Sequence, residues 1–368
     1  MVLNNIKNKI LILLFMIMCS AVFSIEYFKG YSSKKGEQYS VASLLMTKYE
    51  EDSRWNENYF HEAQFRDQGI TIFTNIVFSN TFMKGKGCKF NCMINFKNGE
   101  KYTFNRDFGS DELIIKKDGF NINVGNNYIR LIDQNNYILF FKDKDNDVEL
   151  KLNYNIVNPP QIFGDGIVTI DNKTFLSYSQ PIVGAYVTGT LLYKNRKISL
   201  NGRGSVDHDY GVGSPLKVPR KFRSFWFYND KYSIVIHTII FPDNKQIDRV
   251  SICKDGKIFK SFLNTGLLTA NLVKDCTNNF NYPQKFYISY NDKDGDMIYS
   301  NIKLNSVTDK IQPFAELSPA LHTIVVKAVG EMWIYRFWAE AEFIIVVDNS
   351  KEIIKIKGMG NYIDMQKD

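Results

Sequence analysis

Residues 202–211 read Gly-Arg-Gly-Ser-Val-Asp-His-Asp-Tyr-Gly and gather three glycines, two carboxylates, an imidazole and a phenol. The 368-residue chain has four histidines, His61, His208, His237 and His322, and one of them stands between two aspartates. In extended backbone, alternate side chains point to opposite faces, so Asp207 and Asp209 share a face and His208 takes the other. A carboxyl facing an apolar interior is held protonated by desolvation. Such an acid can protonate an alkene or polarise a carbonyl. Asp207 is therefore the candidate general acid, and His208 its candidate partner as orienting group or proton relay. A structural role competes with this one: aspartates favour turns because they bond their own backbone, and a buried Asp–His pair can stitch two strands together. Gly202 and Gly204 suit a bulge or a close backbone approach, and Gly211 and Gly213 suit positive φ, with the acid–imidazole group set on a bend between them. The histidines show neither HxH nor HxxxH spacing, so no metal site is expected, and no cofactor motif is evident.

The elements that carry these residues read almost entirely as strands. Gly69–Ser79 and Cys88–Phe96 alternate in polarity, and Asn98-Gly99 supplies a hairpin turn. Turn signals recur every eight to twelve residues, too close together for crossover helices, and this spacing predicts an all-β fold of antiparallel sandwiches or barrels. Short helical stretches are expected only at Ser40–Glu50 and Pro313–Leu321. Asn158-Pro159-Pro160 breaks the pattern before strands resume at Ile167. The glycines and prolines of residues 211–219 mark a junction between two blocks of similar β-grammar. Beyond it, Phe222, Ser224, Trp226 and Tyr228 share one face of a strand, with Phe225, Phe227 and Arg223 on the other. A strand aromatic on both faces is buried on two sides or lines a pocket. His237 shares a face with Val235 and Ile239, the pattern of a core histidine. Trp333, Tyr335 and Phe337 read as core, while Arg336, Trp338, Glu340 and Glu342 face the other way, with Arg336 and Glu340 expected to pair at a barrel mouth. The aromatic load, 28 Phe and 21 Tyr, fits either a wide apolar interior or simple core.

Three stretches occur in a familiar order: Phe175-Leu-Ser-Tyr-Ser-Gln-Pro181, Gly189-Thr190-Leu191, and Gly202-x-Gly-x-x-Asp-His-x-x-Gly211. Together they resemble the carotenoid 1,2-hydratase (hydroxyneurosporene synthase, CrtC/AttH-like) superfamily, including its survival-factor and fungal Diels–Alderase-like branches. Trp55–Phe60 and Gly358-x-Gly-x-x-x-Asp364 are similar to the opening and closing strands of that family, the last with Asp where Glu is usual. The resemblance implies two tandem lipocalin-like antiparallel β-barrels with a hydrophobic ligand cavity, Asp207 and His208 falling on the family's Asp-His pair. Tyr210 stands where many members carry Trp. The resulting organisation is a signal peptide over residues 1–24, an N-terminal barrel over 25–212 and a C-terminal barrel over 213–368. The leading expectation is an exported protein that binds a lipid or isoprenoid in a barrel cavity lined by Tyr178, Tyr210, Trp226, Tyr228, His237 and Trp338. One rival is a hydratase, lyase or isomerase with Asp207 as general acid and His208 as partner. Another is a surface β-protein that binds macromolecules, with a structural Asp-His pair.

Charge and cysteines bound the partners. The net charge is +7, spread along the chain with no Lys/Arg block, so no nucleic-acid path is expected. The densest basic patch, Lys217 to Arg223, reads as a solvated turn, with an anionic ligand or peripheral membrane contact as the minority alternative. Cys88 and Cys92, four apart, stand ~13 Å apart in a strand and cannot bridge, which leaves Cys253–Cys276 as the plausible disulfide of an exported chain. Export itself is read from Lys7 and Lys9, the apolar run Ile10–Cys19 and the small residues before Ile25. Mass spectrometry of the protein recovered from its native source is expected to find Ile25 at the N-terminus; a chain beginning at Met1 or at a lipidated Cys19 would rule out cleavage after Ser24.

Overall fold

A computed structural model describes residues 39–48, 54–79, 87–116, 119–171, 174–213, 220–241, 244–278, 280–315 and 317–366. The expected signal segment, Asn80 and most of the basic turn before Lys221 lie outside them.

Two antiparallel sheets account for nearly all of these residues. The first contains β1 (Trp55–Phe65), β2 (Ile70–Ser79), β3 (Gly87–Phe96), β4 (Lys101–Phe108), β5 (Leu113–Lys116), β6 (Asn121–Val124), β7 (Asn127–Asp133), β8 (Asn136–Asp143), β9 (Val148–Asn155), β10 (Gln161–Asp171), β11 (Thr174–Tyr193) and β12 (Arg196–Val212). Its order is β4-β3-β2-β1-β12-β11-β9-β8-β7-β6-β5, with β10 paired to β11. The second contains β13 (Lys221–Tyr228), β14 (Tyr232–Ile240), β15 (Gln246–Lys254), β16 (Lys257–Leu263), β17 (Leu268–Lys274), β18 (Asn281–Asn291), β19 (Met297–Ile311), β20 (Glu331–Val347) and β21 (Ser350–Gln366), in the order β16-β15-β14-β13-β21-β20-β19-β18-β17. Each sheet curls into a lipocalin-like barrel around its own apolar core. In each, the first strand pairs with the last: Phe60 faces Asp207 across β1 and β12, and Phe225 faces Gly360 across β13 and β21.

Local chemistry explains the turns. Lys194-Asn195 and Asp348-Asn349 both take positive φ at consecutive residues, the geometry that matches a tight hairpin to strand twist. The early helix is α1 (Val41–Leu45), capped by Ser40, whose hydroxyl accepts from Ser43 N–H at 3.0 Å. The later helix is α2 (Pro319–Val329), begun by Pro319 at the end of the expected stretch and running on beyond it. The Pro159-Pro160 break is shorter than its sequence suggests, because β10 starts at Gln161 and absorbs the glycines in a register shift between Ile162 and Ile167.

The motif strand corrects two expectations. Asp207, His208 and Asp209 lie in the middle of β12, not on a bend, and neither Gly211 nor Gly213 has positive φ. The glycines serve close approach instead. A Cβ would overlap Gln64 O at Gly202, Glu62 O at Gly204 and Phe175 O at Gly211. The Cys253–Cys276 disulfide is also absent: Cys253 is buried beside the Gln161 amide at 3.1 Å, and Cys276 is exposed.

Aromatic and aliphatic side chains pack in both barrel interiors. Tyr59, Phe90, Tyr137, Phe141 and Tyr154 pack inside the first; Phe225, Phe227, Phe286, Tyr335 and Phe343 pack inside the second. The barrels meet wall to wall, with the outer faces of β1–β3, β11 and β12 against those of β13–β15 and β19–β21. Phe60 stacks on Trp226 at 6.0 Å, and the Arg336 guanidinium lies 4.0 Å over Phe73. Gly204→Ala is expected to lower stability by about 1–3 kcal/mol, the usual cost of overpacking, because the new methyl must displace the β1 backbone. A thermal midpoint equal to wild type would show that β1 and β12 are not in tight register there.

Candidate functional site

Pleating sorts the residues of β12. Val206 and His208 point into the first barrel, while Ser205, Asp207 and Asp209 point outward at the second. This wall-to-wall seam also receives Tyr178 and Gln180 from β11, Phe60, Glu62 and Gln64 from β1, Ser224, Trp226 and Tyr228 from β13, and His237 from β14. Pro181 and the left-handed Gly184 shift the register of β11 beside them, and a Cβ at Gly184 would overlap the Ser233 hydroxyl of the second barrel.

Asp207 is the hub. Its carboxylate accepts from Tyr178 O–H at 2.9 Å and from the Gln180 amide at 3.0 Å. The Tyr178 hydroxyl also lies 2.8 Å from His237 Nε2, and Gln180 lies 3.0 Å from the same nitrogen. Ser224 Oγ meets His237 Nδ1 at 2.9 Å. A second group adjoins it: the Tyr228 hydroxyl lies 2.6 Å from Ser205 Oγ and donates to Glu62 Oε2 at 3.2 Å.

Burial sets the charge of these groups. It raises Asp207 to about 7 despite the opposing hydrogen bonds of Gln180 and Tyr178. It raises Glu62 to about 8, against hydrogen bonds from Gln64 and Tyr228. Asp209 is pushed well above the ordinary carboxylate range, first by burial and then by the charge of Asp207. His237 falls to about 3, by burial and by the positive charge of Arg249. The seam thus holds a proton on an acid beside a neutral imidazole, linked through a phenol.

The expected site residues divide into three groups. Asp207, Tyr178, His237, Trp226 and Tyr228 converge on the seam. His208 and Tyr210 lie on the opposite face of β12, so the expected Asp207–His208 pair does not form. His208 stacks on Tyr59 at 4.3 Å, and its two ring nitrogens face Glu57 Oε1 at 2.8 Å and Leu44 O at 2.5 Å. It ties α1 to the barrel wall, together with Tyr59 O–H donating to Leu45 O at 2.9 Å. Tyr210 packs on Trp55 at 5.6 Å. Trp338 lies apart, in a cleft of about 570 Å³ along the seam with Arg66, Asn95 and Lys357. A second cleft of about 580 Å³ shares Arg66 and Lys357. Both open between the barrels rather than inside either, whose interiors the aromatic rings occupy. Arg336 pairs with Asp309 at 3.1 Å in the seam and not with Glu340, since β20 turns its guanidinium toward Phe73. Gln180, Ser224 and Glu62 were not expected. The sequence signal for Glu62 was its place between Phe60 and Gln64 on one face; Gln180 hides in the register shift at Pro181.

Two lipocalin-like barrels joined wall to wall define the fold class. Residues 46–362 match the Svf1 family, and the chain belongs to it. That family is distinct from the carotenoid 1,2-hydratases, and what the chain shares with the solved structures below is the fold. Solved structures with this fold include CghA, alone and with Sch210972 (TM-score 0.60, 9% identity, covering 86% of this chain and 90% of that one). A putative AttH from Nitrosomonas europaea (TM-score 0.60, 10% identity, 86% and 95%) and kievitone hydratase from Nectria haematococca (TM-score 0.54, 10% identity, 90% and 96%) share it too. No curated protein matches the chain in sequence.

The raised acids give the fold a pH dependence of definite sign. Unfolding returns Asp207 to 3.8 and Glu62 to 4.5. Between those values and about 7 and 8 the folded chain holds more protons than the unfolded one, and stability falls as pH rises. His237 and His61 oppose this below 6.5, where the unfolded chain takes up the protons that both refuse in the fold. Above pH 6.5 only the acids remain. Urea midpoints are expected to fall from pH 6.5 to 8, and to fall less in Asp207→Asn; an equal fall in that variant would mean Asp207 is ionised throughout.

Proposed function

We propose that the chain is an exported lipocalin-like protein that holds a hydrophobic ligand, a lipid or an isoprenoid, against the seam between its barrels. The observation that carries this reading is a deficit of hydrogen bonds there. Trp226 Nε1, Glu62 Oε1 and Asp209 Oδ1 are buried without a partner among the described residues. Unpaired buried polar atoms are rare in folded proteins and call for a bound molecule or water. Around them stand the ring of Phe60, the phenols of Tyr178 and Tyr228, apolar in body and polar at the tip, a carboxyl that titrates near 7 and an imidazole uncharged at neutrality. Such a lining receives the neutral polar end of an otherwise apolar molecule. Export is supported by the tripartite N-terminal pattern.

Asp207 favours a second reading, a hydratase, lyase or isomerase acting on the bound molecule. An acid that titrates near 7 can deliver its proton to an alkene carbon or carbonyl oxygen and recover one from the adding water or the adjacent carbon. Tyr178, which touches the Asp207 carboxylate, and His237 beyond it, rather than His208, are the groups linked to that carboxyl.

Protein purified without detergent is expected to yield a lipid or isoprenoid by mass spectrometry of its organic extract, from wild type and Asp207→Asn alike, and much less from Trp226→Ala. An extract with no such compound defeats the binding reading. Incubation of the loaded protein in D₂O separates the two: catalysis places deuterium on ligand carbon in wild type, at a rate about 10²–10⁴-fold lower in Asp207→Asn, whereas a binder leaves the ligand unlabelled.

A further inference from the structure

The outer wall of the second barrel carries charges that the buried seam group does not use. Lys285 on β18 stands directly opposite Lys303 on β19, Lys303 opposite Glu340 on β20, and Glu340 opposite Lys357 on β21. Like charges directly opposite in a ladder repel, and this row sets three lysines around one carboxylate. Lys303 approaches Glu340 only to 3.9 Å. From the first barrel, Arg66 reaches over the same space, held in place by Gln64 Oε1 at 2.9 Å and Tyr228 O at 3.2 Å. With Lys355 and Glu342, these residues line the cleft of about 580 Å³, five cations against two carboxylates.

The adjoining cleft of about 570 Å³ shares Arg66 and Lys357, adds Lys97 and contains no acid. Its lining includes the ring of Trp338 and the side chains of Asn95 and Thr308. Asn95 Oδ1 and Thr308 Oγ1 are buried without a hydrogen-bond partner, and Asn95 is 4% exposed. A cationic cleft that continues into one with an unpaired amide oxygen, an unpaired hydroxyl and an indole has the features of a site for an anion bearing hydroxyl groups. Two rows further along the same wall, Tyr299, Ile344 and Ile353 line up across β19, β20 and β21, with Tyr299 and Ile353 exposed.

We infer that this trough binds a phosphate ester of a small hydroxylated group, with the phosphate against Arg66, Lys303 and Lys357 and the hydroxyls toward Asn95 and Thr308. The exposed apolar row beside it suits the chains of a lipid that carries such a headgroup. The lipid form of this inference rests on the ligand reading above; the phosphate site does not.

Glycerol 3-phosphate binding by calorimetry and flotation with phosphatidylcholine vesicles, with and without phosphatidylglycerol, test the inference on the full mature chain. At least one phosphate probe is expected to bind wild type. The Lys303→Ala/Lys357→Ala variant is expected to lose about ten- to a hundredfold in affinity, the worth of charge-assisted hydrogen bonds. Lys151→Ala, exposed on β9 and lining neither cleft, is expected to bind as wild type does. Asn95→Ala is expected to weaken glycerol 3-phosphate but not inorganic phosphate. Uptake of glycerol 3-phosphate without vesicle binding assigns the site to a soluble ester, and phosphatidylglycerol-dependent flotation assigns it to a lipid. Failure of both probes, or equal binding by the double variant, overturns the inference. If wild type still yields a neutral lipid on extraction, that failure leaves the ligand reading standing.

Discussion

The 204–208 segment of β12 is covered on both faces, by the core of the first barrel on one side and by the wall of the second on the other. Every polar side chain on it must therefore find a partner or surrender its charge. The inward histidine, His208, is met by Glu57 and a backbone carbonyl. The outward Asp207 is met by a phenol and an amide and titrates near 7. The same double cover explains Gly202 and Gly204, where neighbouring β1 backbone lies too close for a side chain. Strand β13 obeys the rule mainly with rings, Phe225 and Phe227 inward and Trp226 and Tyr228 outward, the Tyr228 hydroxyl and Ser224 adding hydrogen bonds in the seam.

The seam is therefore more polar than either core, and this has a physical reason. A barrel interior is closed by its own strands and can be filled with Phe, Tyr and Ile. An outer wall is made of the alternate residues, which must also keep each barrel from pairing indiscriminately. The seam resolves this with a few aromatic contacts, Phe60 on Trp226 and Arg336 over Phe73, surrounded by paired polar groups such as Lys101–Asp309–Arg336. Toward its edge the pairing becomes incomplete and the clefts open.

Much of the fold was legible in the sequence because it is local. Alternation and turn residues marked most strands, and the two faces of Phe222–Tyr228 were separable by eye. The alternation of Asp207, His208 and Asp209 was legible as well. Their partners were not, because partnership across a seam depends on which barrel wall meets which. His208 looked like a neighbour of Asp207 in sequence, yet pleating sends it to the opposite face, and His237, on a strand read as core, takes its place near the acid. Gln180 was hidden by the register shift at Pro181, which breaks the period of two on which face assignments rest. Strand β17 carries no such mark, because its burial is slight and its apolar residues Leu268 and Leu272 are exposed.

The pairing of first strand with last has a consequence for how the molecule comes into being. During synthesis β1 emerges early, but its β12 edge stays open until residue 212 has been made. The same delay recurs between β13 and β21. Contacts this distant along the chain form slowly and leave unpaired edges exposed meanwhile. Because those late-closing strands are also the ones that meet across the seam, the acid–phenol–imidazole group is assembled at the end of folding. A chain that carries it intact has brought β11 and β12 against β13 and β14, and a chain arrested before β12 is made presents the open edge of β1 to whatever recognises unfinished protein.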